Sequence, residues 1–166
     1  MREPGLTCLL DDVSATEVLG QALAVTIPEN SNELLLALSG ELGAGKTTLA
    51  RALLRGLGVH GPVRSPTYTL VEPYEVSRGR VLHFDLYRLA SGEELELIGY
   101  RDLRAGSLLS IVEWPERGAG TLGPPDLACD LAYEGPGRLA VLTPGSAVGR
   151  RWAEAVGDAW RRPRPA

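Results

Sequence analysis

The chain has 166 residues, of which 44% are apolar and 23% charged, with a net charge of −4 and a pI near 5.3. A chain of this length buries roughly 70% of its unfolded surface and needs no covalent staples; two cysteines, Cys8 and Cys129, at no zinc-ligand spacing exclude a disulfide scaffold or a zinc module. No apolar run approaches the ~20 residues of a membrane span, the first residues lack the basic and apolar regions of a signal peptide, and the acidic balance marks no general nucleic-acid binder, so a single cytoplasmic globular domain over residues 1–166, with no membrane partner, is expected.

In chain order, the first five residues read as a loose terminus and residues 6–10 as a short strand. Ser14-Ala15-Thr16-Glu17 has the form of a capping box, and Val18, Leu19, Ala22 and Val25 follow at helical spacing, which predicts a helix over 15–25. Residues 33–38 are an almost unbroken apolar run closed by Ser39-Gly40, the pattern of a strand buried on both faces. Residues 46–57 read as a helix. Residues 68–72 and 80–85 are candidate strands joined through Pro73 to Gly79. Ser91-Gly92-Glu93-Glu94 is a second capping-box pattern opening a short helix to about Ile98. Residues 108–113 form an apolar strand ending in an acid. Residues 127–133 and 138–142 flank Glu134-Gly135-Pro136-Gly137 as a hairpin. A last helix covers 147–161 and leads into a Pro-Arg end, so residues 146–166 form a C-terminal helix and basic tail. This order predicts an α/β, three-layer fold with a mixed, partly parallel sheet.

Gly40-Glu41-Leu42-Gly43-Ala44-Gly45-Lys46-Thr47 fits G-x-x-x-x-G-K-[ST], with a buried strand before it and a helix after it. Gly40, Gly43 and Gly45 let the backbone bend so that successive N–H groups, including that of Ala44, converge on a phosphate. The helix start adds unpaired donors and a positive dipole end. Lys46 is placed to reach the β- and γ-phosphates, the Thr47 hydroxyl to hold Mg²⁺, and Thr48 to face the α-phosphate side. Of the 17 basic residues only Lys46 is a lysine. A compact ammonium on a flexible stem suits a tight anion-lined turn better than a planar guanidinium.

A nucleotide site of this type needs a further carboxylate at the end of a neighbouring strand. Asp85, closing Val81-Leu82-His83-Phe84, and Glu113, closing Leu108-Leu109-Ser110-Ile111-Val112, both qualify, and local pattern does not choose between them. His83, on the face of Asp85, reads as a hydrogen-bonded structural histidine ahead of a general base. Trp114 reads as core filler ahead of a wall of the site or a contact for a partner. Ser65-Pro66-Thr67-Tyr68-Thr69-Leu70 is either a plain loop or a γ-phosphate sensor. The arginines at 150, 151, 161, 162 and 164 read as a solvated, frayed tail ahead of an RNA-contacting patch. Asparagine occurs only at Asn30 and Asn32, so no guanine-reading Asn-Lys-x-Asp exists, and no Leu-Ser-Gly-Gly-Gln signature marks an ABC ATPase.

Gly40–Thr48, Ser65–Tyr74, His83–Leu89 and Val112–Pro115, in this order and spanning about residues 12–133, resemble the TsaE (YjeE) family. The resemblance implies a small P-loop protein that binds ATP with Mg²⁺, hydrolyses it slowly alone and works with the TsaB–TsaD pair. In that pair TsaD transfers the threonylcarbamoyl group to adenosine 37 of tRNA, and hydrolysis is implied to reset the complex between turnovers. It further implies phosphate binding by Lys46, Mg²⁺ ligation by Thr47 and Glu113, and a catalytic role for Asp85. Thr67 and Thr69 become switch residues and Trp114 part of a partner-facing motif; any tRNA contact is expected to be indirect. The alternatives are a small-molecule P-loop kinase and an ATP-sensing interaction module with little hydrolysis.

Overall fold

The computed structural model describes residues 5–164; residues 1–4 and 165–166, which hold most of the expected loose N-terminus and the last of the Pro-Arg end, lie outside the described residues. The elements are β1 (Leu6–Leu10), α1 (Val13–Val25), β2 (Leu34–Gly40), α2 (Lys46–Gly56), β3 (Val71–Val76), β4 (Gly79–Asp85), α3 (Glu93–Leu97), α4 (Tyr100–Arg104), β5 (Leu109–Glu113), a 3₁₀ turn (Pro115–Gly118), β6 (Leu127–Glu134), β7 (Gly137–Pro144) and α5 (Ala147–Arg161). One sheet of seven strands runs in the order β1-β7-β6-β2-β5-β4-β3. Its centre, β6-β2-β5-β4, is parallel, and the flanking pairs β1–β7, β7–β6 and β4–β3 are antiparallel.

The apolar run of β2 is buried on both sides, as its composition requires. Leu34, Leu36 and Leu38 join Leu19, Leu23, Leu49, Leu53 and Trp152 in the core beneath α1, α2 and α5. Leu35 faces the other way, among Leu82, Phe84, Leu95, Tyr100 and Val112 beneath α3 and α4. Helices therefore cover both faces of the sheet in three layers, as expected. On α5 the indole of Trp152 is fully buried and its Nε1 donates to the Leu23 carbonyl at 3.1 Å, tying α5 to α1. No helix among the described residues is long and apolar enough to cross a membrane.

Several local expectations are corrected. The strand expected over 68–72 begins only at Val71 and continues through Pro73 to Val76, so the connection to β4 is Ser77-Arg78 alone. Leu70 takes a left-handed φ of 70°, and its N–H closes a turn onto the Pro66 carbonyl at 2.8 Å, which ends any strand there. Pro73 is tolerated because β3 is an edge strand. The first helix is capped by Asp12, whose Oδ1 accepts from Ala15 N at 2.8 Å, rather than by Ser14. The short helix after Ser91 has no side-chain cap: Glu94 N donates to the Ser91 carbonyl, and α4 follows as a separate helix that the pattern did not mark. Arg150, Arg151 and Arg161 lie on α5 rather than in a frayed tail, and Arg164 stacks over Trp160 at 4.3 Å.

Candidate functional site

The loop from β2 to α2 is built by backbone geometry. Gly40, Gly43 and Gly45 have φ of 148°, 80° and 106°. Gly45 is the N-cap of α2 and has no side chain to occupy the helix's first donors, so those N–H groups stay available to an anion. Lys46 opens α2 and is buried. Its Nζ donates back to the carbonyls of Gly40 and Glu41, at 2.5 and 2.9 Å, and lies 4.0 Å from the centroid of the Trp114 ring. Burial lowers the ammonium's pKa from its ordinary value, against the raising pull of Glu113, Glu116 and Asp85.

The two candidate acids stand side by side at the same edge of the sheet. Because β4, β5 and β2 are parallel, Asp85 is in register with Glu113, and Glu113 with Leu38, two residues before the end of β2. Glu113 is 2% exposed and held at both oxygens. Oε1 accepts from the Thr47 hydroxyl at 2.8 Å, and Oε2 lies 2.7 Å from His83 Nε2. Asp85 is bonded elsewhere: Oδ2 accepts from the Thr67 hydroxyl at 3.1 Å and Oδ1 from Tyr87 N at 3.0 Å. Thr67 Oγ1 in turn is 2.7 Å from Ser65 Oγ. Gly43, Gly45, Lys46, Thr47, Thr48, Ser65, Thr67, Asp85, Glu113 and Trp114 share one cavity of ≈ 300 Å³ with Leu42 and Tyr87. Thr47 and Glu113 offer hard oxygen donors. Among the described residues no group of three His, Cys, Asp or Glu side chains gathers to hold a metal alone. That donor set fits Mg²⁺, which takes one or two protein oxygens and completes its shell with phosphate and water.

The family model described as "Threonylcarbamoyl adenosine biosynthesis protein TsaE" matches residues 10–138. The chain belongs to the TsaE family. The TsaE of Haemophilus influenzae is 44% identical over 117 residues, covering 70% of this chain and 74% of that protein. The TsaE of a Synechocystis strain is 39% identical over 122 residues, again 70% and 74%. Both are named as proteins of tRNA threonylcarbamoyladenosine biosynthesis. The crystal structure of Bacillus subtilis YdiB superposes with a TM-score of 0.78 at 21% identity, covering 95% of this chain and 97% of that one, and shows the same fold.

In this TsaE chain the expected switch residues separate. Thr67 lines the cavity, whereas the exposed Thr69 donates to Glu72 Oε1 at 2.9 Å. Trp114 holds a left-handed φ of 58° between β5 and the 3₁₀ turn, which turns its ring over Lys46 and against Tyr87, 5.0 Å away. Arg88, the arginine nearest the site in sequence, stacks instead on Tyr68 at 4.4 Å. Three contributors carried no sequence signal as site residues. Tyr87 walls the cavity. From the far hairpin, Tyr133 Oη donates to the Leu42 carbonyl at 2.9 Å, and Arg138 donates to the Gly43 carbonyl at 3.3 Å while stacking on Tyr133.

Proposed function

We propose that this chain is a Mg²⁺-dependent ATPase of tRNA threonylcarbamoyladenosine biosynthesis, feeble alone and stimulated by the TsaB–TsaD pair. The observation that carries the reading is the Thr47–Glu113 hydrogen bond at the mouth of the glycine loop, with Asp85 in the same cavity. The loop amides and α2 N-terminus bind the phosphates. Lys46 exchanges its two loop carbonyls for phosphate oxygens. Thr47 and Glu113 would hold Mg²⁺, which neutralises charge on the transferring phosphoryl group. Asp85, already bonded to the Thr67 hydroxyl, orients the attacking water. Tyr87 and Trp114 form an aromatic wall beside the phosphates that a partner can cover, excluding bulk water.

The test is ATP hydrolysis with and without purified TsaB–TsaD. The pair should raise the rate of the wild-type chain. Asp85→Asn should lower the stimulated rate by roughly 10²–10⁴-fold and leave ATP binding in place. No stimulation by the pair counts against the partner assignment. Full tRNA modification by Asp85→Asn, with loss in Lys46→Ala, would make the chain an ATP sensor. A phosphorylated metabolite in place of free phosphate would make it a kinase.

A further inference from the structure

Among the described residues the His83 ring makes one hydrogen bond, and that bond goes to Glu113. The ring is fully buried on β4, its Nε2 lies 2.7 Å from Glu113 Oε2, and its Nδ1 has no partner among the described residues. Residues 81, 83 and 85 share the sheet face of residues 109, 111 and 113. His83 stands in register with Ile111, so its ring reaches diagonally to Glu113, two residues further along β5. On the same face Glu72 of β3 stands opposite the ring and Asp85 follows on β4, but their carboxylates accept from Thr69 and from Thr67 and Tyr87 N; the remaining neighbours, Val81, Leu109 and Ile111, are apolar and belong to the core under α1 and α2. A histidine serving only the core would be better replaced there by a leucine, since a buried polar ring is costly unless hydrogen-bonded. The polarity of the ring is therefore directed at the carboxylate.

We propose that His83 is a positioning residue for the metal site: its Nε2–H, donated to Glu113 Oε2, holds the carboxylate rotated so that Oε1 faces the Thr47 hydroxyl. The inference rests on the reading of Thr47 and Glu113 as the Mg²⁺ donors. A carboxylate fixed at one oxygen presents the other without first losing rotational freedom, which is how an outer hydrogen bond tunes a metal ligand. Aspartate at 113 would fall short of both partners, and an unheld glutamate would keep other rotamers.

The test reads metal-assisted nucleotide binding rather than turnover. ADP affinity is measured by calorimetry in EDTA and across a Mg²⁺ series for the wild type, His83→Leu and His83→Gln. His83→Leu should need roughly 10- to 100-fold more Mg²⁺ to reach half its metal-assisted gain in affinity, with ADP binding in EDTA unchanged. His83→Gln, whose side-chain amide places a donor near Nε2, should recover most of that loss. A wild-type midpoint in His83→Leu overturns the inference, as does a His83→Gln midpoint no better than that of His83→Leu. If Mg²⁺ leaves the wild-type ADP affinity unchanged, the metal reading of Thr47 and Glu113 fails first, and the role of His83 falls with it. A measurement on the unsubstituted protein needs no variant to fold: nitrogen-15 spectra of the imidazoles should place a proton on His83 Nε2. A ring protonated only on Nδ1 has nothing to donate to Glu113 and overturns the inference.

Discussion

At Lys46 two effects act on one ammonium. Burial lowers its pKa, while Glu113, Glu116 and Asp85 pull it back up. Bound phosphates would favour the protonated form further. In the free site the lysine loses its proton below the usual 10.5, so above that point nucleotide binding has to draw a proton from solution. ADP affinity should therefore fall as pH climbs towards 10.5, and proton uptake should accompany binding at the alkaline end; calorimetry in buffers of different ionisation enthalpy reads both. An affinity that is flat over that range sinks the argument. Lys46→Ala removes the charge-assisted bonds altogether and should weaken ATP binding by about 1.5–3 kcal/mol, roughly 10- to 150-fold. Lys46→Arg should not restore it, because a planar guanidinium cannot reproduce a point charge folded back under Gly40 and Glu41.

Between elements, the packing of α1 on α2 sets where the loop's two functional side chains stand, since Lys46 and Thr47 open α2. The helices meet at Gly20. A Cβ added there would lie 2.4 Å from the Ala52 Cβ and 3.0 Å from both the Leu49 carbonyl oxygen and Leu53 N, so the helices must separate to admit any side chain. Gly20→Leu should cost about 1–3 kcal/mol, a fall of roughly 2–12 °C in Tm, with weaker ADP binding alongside. Thermal melts with and without ADP check it, and an unchanged Tm would show that the contact is slack. The glycine loop, the buried strand before it and both acids were readable because each is a contiguous pattern. Which of Asp85 and Glu113 stands nearer the loop was not, because both end apolar strands; it depends on strand order, which puts Glu113 on the strand beside β2 and Asp85 one strand further out. Tyr133 and Arg138 were hidden because they reach carbonyls 91 and 95 residues away. The start of β3 was misplaced because Leu70 adopts a left-handed conformation that its residue type does not announce.

At the scale of the whole molecule, the β1-β7-β6 side of the sheet carries a second charge-state constraint, of opposite sign to that at Lys46. Cys8 on β1 and Cys129 on β6 flank β7, in register with Ala140 and Leu142, and both are fully buried as free thiols. Burial pushes the Cys8 thiol from 9.0 up to about 11 and raises Cys129 as well. A thiol whose folded pKa is raised gives its full stability below the unfolded value and loses it as pH climbs towards the folded one. Above pH 9 the unfolded chain releases these protons while the folded chain keeps them, so Cys8 alone removes up to about 3 kcal/mol by pH 11, at ~1.4 kcal/mol per unit. Tyr100, also raised by burial, adds a loss of the same sign above 10. Lys46 works the other way in the window just below 10.5, because its folded pKa is lowered. Three groups against one give a net decline. The urea midpoint should thus drop between about pH 8.5 and 10.5, and Cys8→Ala, although less stable at neutral pH through its small cavity, should show a shallower drop. Native protein at pH 8 should also leave both thiols unreacted with a thiol reagent that modifies them in urea. A midpoint that holds steady to pH 10.5, or equal slopes for the wild type and Cys8→Ala, would mean that the cysteines ionise in the folded sheet as freely as in the unfolded chain, which a fully buried thiol between paired strands does not allow.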